Sequence, residues 1–447
     1  VNYWDTYAPV VSWPSIRLFL VQSILQKWTT RQLDFVLAYT HADAETDLYM
    51  AIPKGFEATN KQEQVLKLVK NLYGQKQAGR VWYNHLAKTL QAYGFVKSRI
   101  DECVFYYKDS VFLVFTDDTI LTGPDPKQLD EIVQLLHKAF RITDQGTLSD
   151  YLGIKVERLP DHSLSLTQPQ LIQSILQDLR LTQSSKAAKS PYLSSKILTA
   201  DPTGAPFNDA FNYRAVIGKL LYLEKSTRPE LAYPVHQCAR FSAAPKKSHG
   251  EAVKRIGRYL LATQDKGMIL RPSTNVSFDC YVDASHASDW NRATASSDPS
   301  TARSRTGFVI SYANCPITWQ SRMQTEIALS STEAEYIALS QAMREVLPLI
   351  ALMKEAKKKG LFHRIIVPKF HCKIFEDNSG ALEMARTPKM RPRTKHLNVK
   401  YHFFREHVRA GIVSIQHIPT EHQVADIFTK PLSQESFERH RQQLLHW

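Results

Sequence analysis

Apolar positions change period several times along the 447 residues. "SIRLFLVQSILQKW" and "AGRVWYNHLAKTLQAYGF" carry helical spacing, while "RQLDFVLAY" between them reads as a strand, so the first 125 residues have an α+β pattern. Gly123-Pro124 and Pro126 break the chain, and "KQLDEIVQLLHKAF" restarts it as an amphipathic helix. A mixed hairpin and helix region follows, from "TLSDYLGIKVERL" to "QLIQSILQDLRL". Residues 182–211, rich in Ser, Thr, Ala and Pro, read as a linker. A largely helical block then ends near Arg271-Pro272. From about residue 276, strands return in "VSFDCYVDAS", "TGFVISY" and "PITWQS", and helices alternate with strands to the end. The C-terminal third is therefore expected to be its own α/β domain. No internal repeat is visible.

The length suits about two to four domains. A net charge of +14 favours a polyanionic partner, nucleic acid or an acidic surface, without choosing between them. Five widely spaced cysteines with no CxxC pair read as reduced core residues of an intracellular protein. No run approaches the roughly eighteen apolar residues of a membrane span, and no membrane partner is expected. The chain starts at Val1 without a basic-then-apolar signal, so an upstream segment is expected to be missing.

Candidate chemistry lies in the carboxylates. In "VFLVFTDDTILT" an apolar run meets Asp117 and Asp118, which repel each other and desolvate badly. A hairpin tip that presents them to a hard divalent metal resolves the conflict, and a solvated turn resolves it too. Asp283 lies inside a β-forming run, Glu335 on a helix among small and apolar neighbours, Asp377 just after "KIF", and Asp426 in "QVADIFTKPL". Each alone suits a cap or an edge; four in one small domain suit a paired-metal site.

These residues sit in strings that carry a resemblance. "QLDFVLAYTHADAETDLYMAIPKGF", "NLYGQKQAGRVWY", "FTDD", "YRAVIGKLLYLEKSTRPELAY", "SSTEAEYIAL", "FEDNSGA", "RTKH" and "ADIFTKPL", in this order, resemble the reverse transcriptase and ribonuclease H region of copia-type LTR retrotransposon Pol polyproteins. The resemblance covers essentially the whole chain. It implies an α+β multidomain protein: a right-hand-like polymerase palm with partial fingers over 1–160, a thumb or connection over 161–275, an α/β ribonuclease H-like domain over 276–432, and a tail over 433–447. It also implies RNA- and DNA-directed DNA polymerisation with RNA–DNA hybrid cleavage. The implied cofactor is Mg²⁺, with Mn²⁺ as a substitute, and the implied partners are RNA template, DNA primer, hybrid, dNTPs and the other Pol parts, integrase and protease. The cytoplasmic virus-like particle and the nucleus are the implied locations.

Position by position, Asp34, Asp117 and Asp118 resemble the polymerase carboxylates, with Asp34 and Asp117 expected as direct ligands because successive strand side chains point to opposite faces. Tyr39 matches the aromatic that excludes a ribose 2′-hydroxyl, and is otherwise a core aromatic. Gln77 matches a glutamine near nucleotide and template, and is otherwise a surface polar residue. Asp283, Glu335, Asp377 and Asp426 fall on the four ribonuclease H carboxylates, with Glu333 as the rival of Glu335. His417, nine residues before Asp426, corresponds to a mobile histidine of product release or is an ordinary exposed one. Residues 386–409 have a net charge of +7 and include Arg391, Arg393, Lys395 and His396 of the "RTKH" region. They read as a phosphate track for the hybrid, with a solvated basic face as the plain alternative.

Phe115 and Thr116 replace the family's usual Tyr and Val, and Gly79 stands where Pro is usual, a modest loosening of that turn. The family's basic finger residues fall in the missing upstream segment. A nucleic-acid-binding remnant that lacks the fingers is therefore the alternative to an active enzyme.

Overall fold

The computed structural model describes residues 6–56, 64–193, 197–208, 211–288, 290, 292, 299–362, 368–386 and 402–447. The chain divides into two compact units, Val1–Tyr151 with Lys354–Ile365, and Leu152–Met353 with Ile366–Trp447. Apart from Lys354–Ile365, the second unit takes in most of the residues read as connection and α/β domain.

In the first unit, helix α1 (Trp13–Leu25) is buried nearly all round, as a helix apolar on all faces must be. The Ser12 hydroxyl accepts the Ser15 N–H at its start. Strand β1 (Thr29–Phe35) is followed by a small antiparallel ribbon, β2 (Asp43–Ala51) and β3 (Val65–Lys70). Helix α2 (Ala78–Ala92) then leads to β4 (Val96–Lys97), β5 (Val104–Tyr107), β6 (Ser110–Phe115) and β7 (Asp118–Gly123). Helix α3 (Pro126–His137), capped by Asp125, precedes β8 (Ile142–Thr147) and the short β9 (Asp150–Tyr151). The main sheet has the order β4-β5-β6-β7-β1-β8. Its central strands β6 and β7 are buried on both faces, which explains the unbroken apolar run that leads into the Asp pair.

The second unit opens with β10 (Ile154–Arg158) and β11 (Leu164–Thr167), joined in an antiparallel sheet by β12 (Met268–Leu270). Helices α4 (Pro169–Asp178), α5 (Tyr213–Ser226), α6 (Ala232–Ala239) and α7 (Lys247–Ala262) lie between β11 and β12 in sequence. Described residues within 182–211 are tied down rather than free. Tyr192 is buried, Arg255 donates to the Ser190 carbonyl at 2.9 Å, and Ser248 donates to Asp201 at 2.6 Å. Arg228 and Glu230, both fully buried, form an ion pair at 2.7 Å, and Arg228 also donates to Thr263.

A five-stranded sheet follows with the order β15-β14-β13-β16-β17. Strands β13 (Phe278–Ser285), β14 (Arg305–Tyr312) and β15 (Cys315–Met323) form an antiparallel meander. Helix α8 (Ser331–Lys358) then carries the chain back to β16 (Cys372–Glu376), which lies parallel to the other side of β13. After α9 (Ser379–Arg386) and α10 (Arg405–Arg409), β17 (Val413–His417) runs parallel to β16. The chain thus leaves β13 toward one sheet edge and returns on the opposite flank, the kind of switch point at which parallel sheets open a crevice at their strand ends.

By length and composition α8 qualifies as a membrane-crossing helix, contrary to the sequence reading, but 67% of its apolar window is buried inside the protein, as in a core helix. The stretch 433–447, expected to be a tail, is helix α11 (Gln434–Leu445), with Phe437 and Leu445 fully buried. All five cysteines are buried and unbonded.

Candidate functional site

Asp34, next to last in β1, lies directly opposite Asp118 on β7. Directly opposite residues of an antiparallel pair project to one face, so these two carboxylates share a side of the sheet. Strands β6 and β7 meet in the two-residue turn Thr116-Asp117, with Phe115 opposite Asp118. Asp117 is thus a turn residue, and the alternation expected of it as a strand residue does not apply. Thr116 takes a φ of 56°, unusual for a β-branched residue, and its carbonyl accepts the Trp82 indole N–H at 2.9 Å. The Asp117 carbonyl accepts the Phe35 N–H at 3.1 Å, which fixes the turn to the end of β1.

Burial and then Asp117 raise the pKa of Asp34; burial, Asp117 and Asp34 raise that of Asp118. Tyr39 sits in a single 3₁₀ turn launched by Leu37 at a φ of 57°. Its ring lies 4.5 Å from that of Tyr73, and both phenols are raised by burial and then by Asp117. Gly79 belongs to the first turn of α2. A side chain there would meet Ala8 at 3.2 Å, with the Tyr39 hydroxyl at an ordinary contact distance of 3.7 Å, so close approach of Ala8, more than turn flexibility, accounts for the glycine. Gln77 is half-buried at the N-cap of α2 and makes no side-chain cap bond.

The second unit gathers the other acids at the switch point. Ligand oxygens of Asp283, Glu335 and Asp377 all lie within 4.8 Å of one another, the only such grouping of acids, histidines or cysteines among the described residues. Asp283 comes from the C-terminal end of β13, Asp377 from the residue after β16, and Glu335 from the second turn of α8. Glu333 does something else. Its carboxylate accepts the Leu329 N–H at 2.9 Å and its own N–H reaches the Ser330 hydroxyl, a cap for α8.

Asp426 lies in a 3₁₀ turn, Val424–Phe428, packed against β13 and β14. Gly307, opposite Asp283 on β14, makes room for it: a side chain there would meet Thr429 at 2.5 Å and Phe428 at 2.8 Å. Gln423 braces this turn by donating to the Val282 carbonyl at 2.8 Å and accepting the Ala425 N–H. Thr429 donates to Asp283, Thr420 donates to Asp377 at 2.8 Å, and Lys430 pairs with Asp426 at 2.8 Å.

The electrostatics follow from crowding. Burial, with Asp283, Glu376 and Asp377 behind it, pushes Glu335 well above the usual carboxylate range, and one of its oxygens is buried without a hydrogen-bond partner. Burial also raises Asp283, and burial with Asp283 pushes Asp426 up to about 7 against the pull of Lys430. Burial would lower Lys430, but Asp283 and Asp426 outweigh it and leave it raised. Hard oxygen donors this close, one of them orphaned, fit a divalent cation.

Residues 1–193 match the family of reverse transcriptases (RNA-dependent DNA polymerases). Over 98% of its length the chain is 34% identical to the Retrovirus-related Pol polyprotein from transposon RE1 of Arabidopsis thaliana and 30% identical to that from transposon TNT 1-94 of Nicotiana tabacum. The chain is similar over nearly its whole length to retrotransposon Pol polyproteins. It spans 29% and 32% of those two relatives. Its match to the putative transposon Ty5-1 protein of Saccharomyces cerevisiae covers 70% of the chain and all of that protein, at 27% identity. A foamy viral protease–reverse transcriptase solved with dsDNA aligns over 88% of the chain and 68% of its own at 9% identity, but its TM-score of 0.22 carries no argument.

Along the chain the structure brings together Asp283, Glu335 and Asp377, sets Asp426 beside Asp283, and leaves His417 exposed at the end of β17, in register with Glu376. Arg391, Arg393, Lys395 and His396 lie outside the described residues. Of the neighbouring cations, Arg386 donates to the Ile415 carbonyl and Arg405 to that of Met384 at 2.7 Å, so these two serve the fold rather than a phosphate track. Sequence reasoning missed Glu376. It is fully buried, accepts the Asn378 N–H at 3.1 Å through one oxygen, and leaves the other unpartnered. It also missed Lys430, Gln423 and Gly307, whose signals lay in the "QVADIFTKPL" string and in a glycine inside a strand.

Proposed function

We propose that this Pol region polymerises DNA on RNA and DNA templates through its first unit and cleaves the RNA strand of RNA–DNA hybrids through its second. The observation that carries the reading is the convergence of Asp283, Glu335 and Asp377 at a switch point of the sheet. These three would hold Mg²⁺, or Mn²⁺ in its place, with Asp426 alongside; Asp34, Asp117 and Asp118 would do so in the first unit. A bound divalent ion supplies Lewis acidity toward phosphoryl oxygens and lowers the pKa of an attacking water or 3′-hydroxyl, with two such ions clamping the displacement.

The chain's own residues prepare for this. Thr429 and Thr420 fix the rotamers of Asp283 and Asp377, and Gln423 makes the Asp426 turn rigid. In the first unit the Tyr39–Tyr73 pair forms the wall that admits a deoxyribose and rejects a 2′-hydroxyl, with Gln77 on the nucleotide side. Template, primer, hybrid and dNTPs are the substrates, and integrase and protease the remaining Pol parts. The basic residues between 386 and 409 other than Arg386 and Arg405 supply the phosphate contacts.

The test uses the full chain with a labelled hybrid and a primed template. Asp283→Asn abolishes RNA cleavage and keeps primer extension, and Asp117→Asn does the reverse. Loss of both activities in either variant, or of neither, refutes two separate sites.

A further inference from the structure

Away from the acids, the second unit encloses a cavity of about 300 Å³ between α6, α7, described residues of 191–201 and Pro431. That volume is at the lower end of the range for small-molecule sites. Ser248, Ala252 and Ile256, spaced by four along one face of α7, line the cavity, and the first two are short enough to leave it open. Pro191, Pro234 and Pro431 stand in the wall, where a fixed φ resists collapse into an empty space. Tyr192 and Tyr233, whose rings pack edge to face at 6.1 Å, complete an apolar and aromatic lining. The charge is one-sided. No lysine, arginine or histidine is among the described residues of the wall, and Asp201, half-buried, is its one ionised group. One Asp201 oxygen accepts the Ser248 hydroxyl at 2.6 Å, and the other accepts no hydrogen bond among the described residues. His249, next to Ser248, adds no charge: its Nδ1 accepts the Lys246 N–H at 2.8 Å and its Nε2 donates to the Thr199 carbonyl at 2.8 Å, which accounts for a single ring proton.

We propose that this cavity binds a small arylalkylammonium ion, its ring among the prolines and tyrosines and its ammonium on the spare oxygen of Asp201, and that it serves as an effector site for the acid crevice. The wall selects that class. A phosphate or nucleotide finds no cation here, and a purely apolar guest leaves the carboxylate facing hydrocarbon, a penalty that an ammonium donor replaces with a charge-assisted hydrogen bond. The link to the crevice runs along the chain. Pro431 follows Lys430, whose ammonium stands 2.8 Å from the Asp426 carboxylate, so an occupant bears on the end of the turn that presents Asp426. The effector role rests on the ribonuclease reading above; the binding does not.

The probe is phenethylamine, titrated into the full chain by calorimetry beside phenethyl alcohol and hydrocinnamate, which keep the ring and change the head group. The amine should bind about tenfold tighter than the alcohol, and the carboxylate should not bind. On a chain of net charge +14, unspecific attraction gives the reverse order. Asp201→Asn keeps an acceptor for Ser248 and should bring the amine down to the level of the alcohol. Ala252→Phe fills the space and should abolish binding of both, with Ala252→Leu in its place if thermal melts show the larger side chain to be unfolding. Equal binding of amine and alcohol, or amine binding undiminished in Asp201→Asn or in the folded Ala252 variant, overturns the site. Saturating amine should change the rate of hybrid cleavage by about twofold or more in the parent and leave it unchanged in the Ala252 variant. A parent that cleaves at an unaltered rate overturns the effector role and leaves the binding site standing. A parent that cleaves no hybrid with or without amine overturns the ribonuclease reading and the effector role with it, while the binding result stands by itself.

Discussion

Glu335→Gln separates a metal ligand from a structural acid, because the two roles predict opposite changes in stability. Glu335 is 5% exposed, and its ligand oxygen lies within 4.8 Å of those of Asp283 and Asp377. At that distance and an effective dielectric near 20, each fully charged pair repels by about 3.5 kcal/mol. Protonation relieves part of this, as the raised pKa of Glu335 shows. At a pH where Glu335 is ionised, the substitution should provide up to about 3 kcal/mol of relief. The amide keeps the volume, and its oxygen can still accept the Ala284 N–H that the carboxylate accepts. In chelator the variant should therefore melt about 5–10 °C above the parent, at the roughly 2–4 °C per kcal/mol of a domain this size. Saturating Mg²⁺ should raise the parent and close the gap, since an ion that binds only the folded state stabilises it by mass action. The assay is scanning calorimetry in chelator and in Mg²⁺, beside hybrid cleavage. A variant that melts below the parent in chelator, or a Mg²⁺ shift equal in both proteins, refutes the reasoning.

Trp82→Phe removes the donor to the Thr116 carbonyl; with about 1 kcal/mol of anchoring gone from the acidic turn, primer extension should fall about fivefold while hybrid cleavage is unchanged. Burial, then Arg439, Lys430 and His422, lowers the pKa of His440 to about 4. The folded chain therefore binds fewer protons than the unfolded one between pH about 6.5 and about 4, and stability falls by about 3 kcal/mol as pH drops through that window. His440→Leu should flatten that slope in urea titrations, and an unchanged slope would show that the histidine is not its source. Arg228→Met strands the buried Glu230 carboxylate and should cost about 3–5 kcal/mol, whereas Arg228→Met with Glu230→Gln should recover most of it; equal losses in the single and double variants would contradict this.

The acids were legible wherever a carboxylate interrupted an apolar run, because nothing in packing explains a charge there. Asp117, Asp118, Asp283 and Asp377 carried that signal, Glu335 stood among small neighbours, and Asp34 came from the resemblance alone. Glu376 was not legible. It adjoins Asp377 at a strand end, and which of two consecutive acids turns inward depends on β17 and the Asn378 cap. Lys430 reads as an exposed cation until the 424–429 turn folds over Gly307, a contact between segments more than a hundred residues apart. Residues 182–211 have the composition of a tether, yet long-range bonds from Arg255 and Ser248 hold them.

The cap on α8 also sets an angle. Glu333 and Glu335 are two positions apart, so at about 100° per residue they point some 200° apart around the axis. By clasping the Leu329 N–H, Glu333 acts as an indexing stop that determines which side of the cylinder faces β13. One residue inserted between Ala334 and Glu335 would leave the clasp intact and swing the acid about a quarter turn away from Asp283. The acid site is thus keyed to a rotation, and the turn that leads into α8 holds the key.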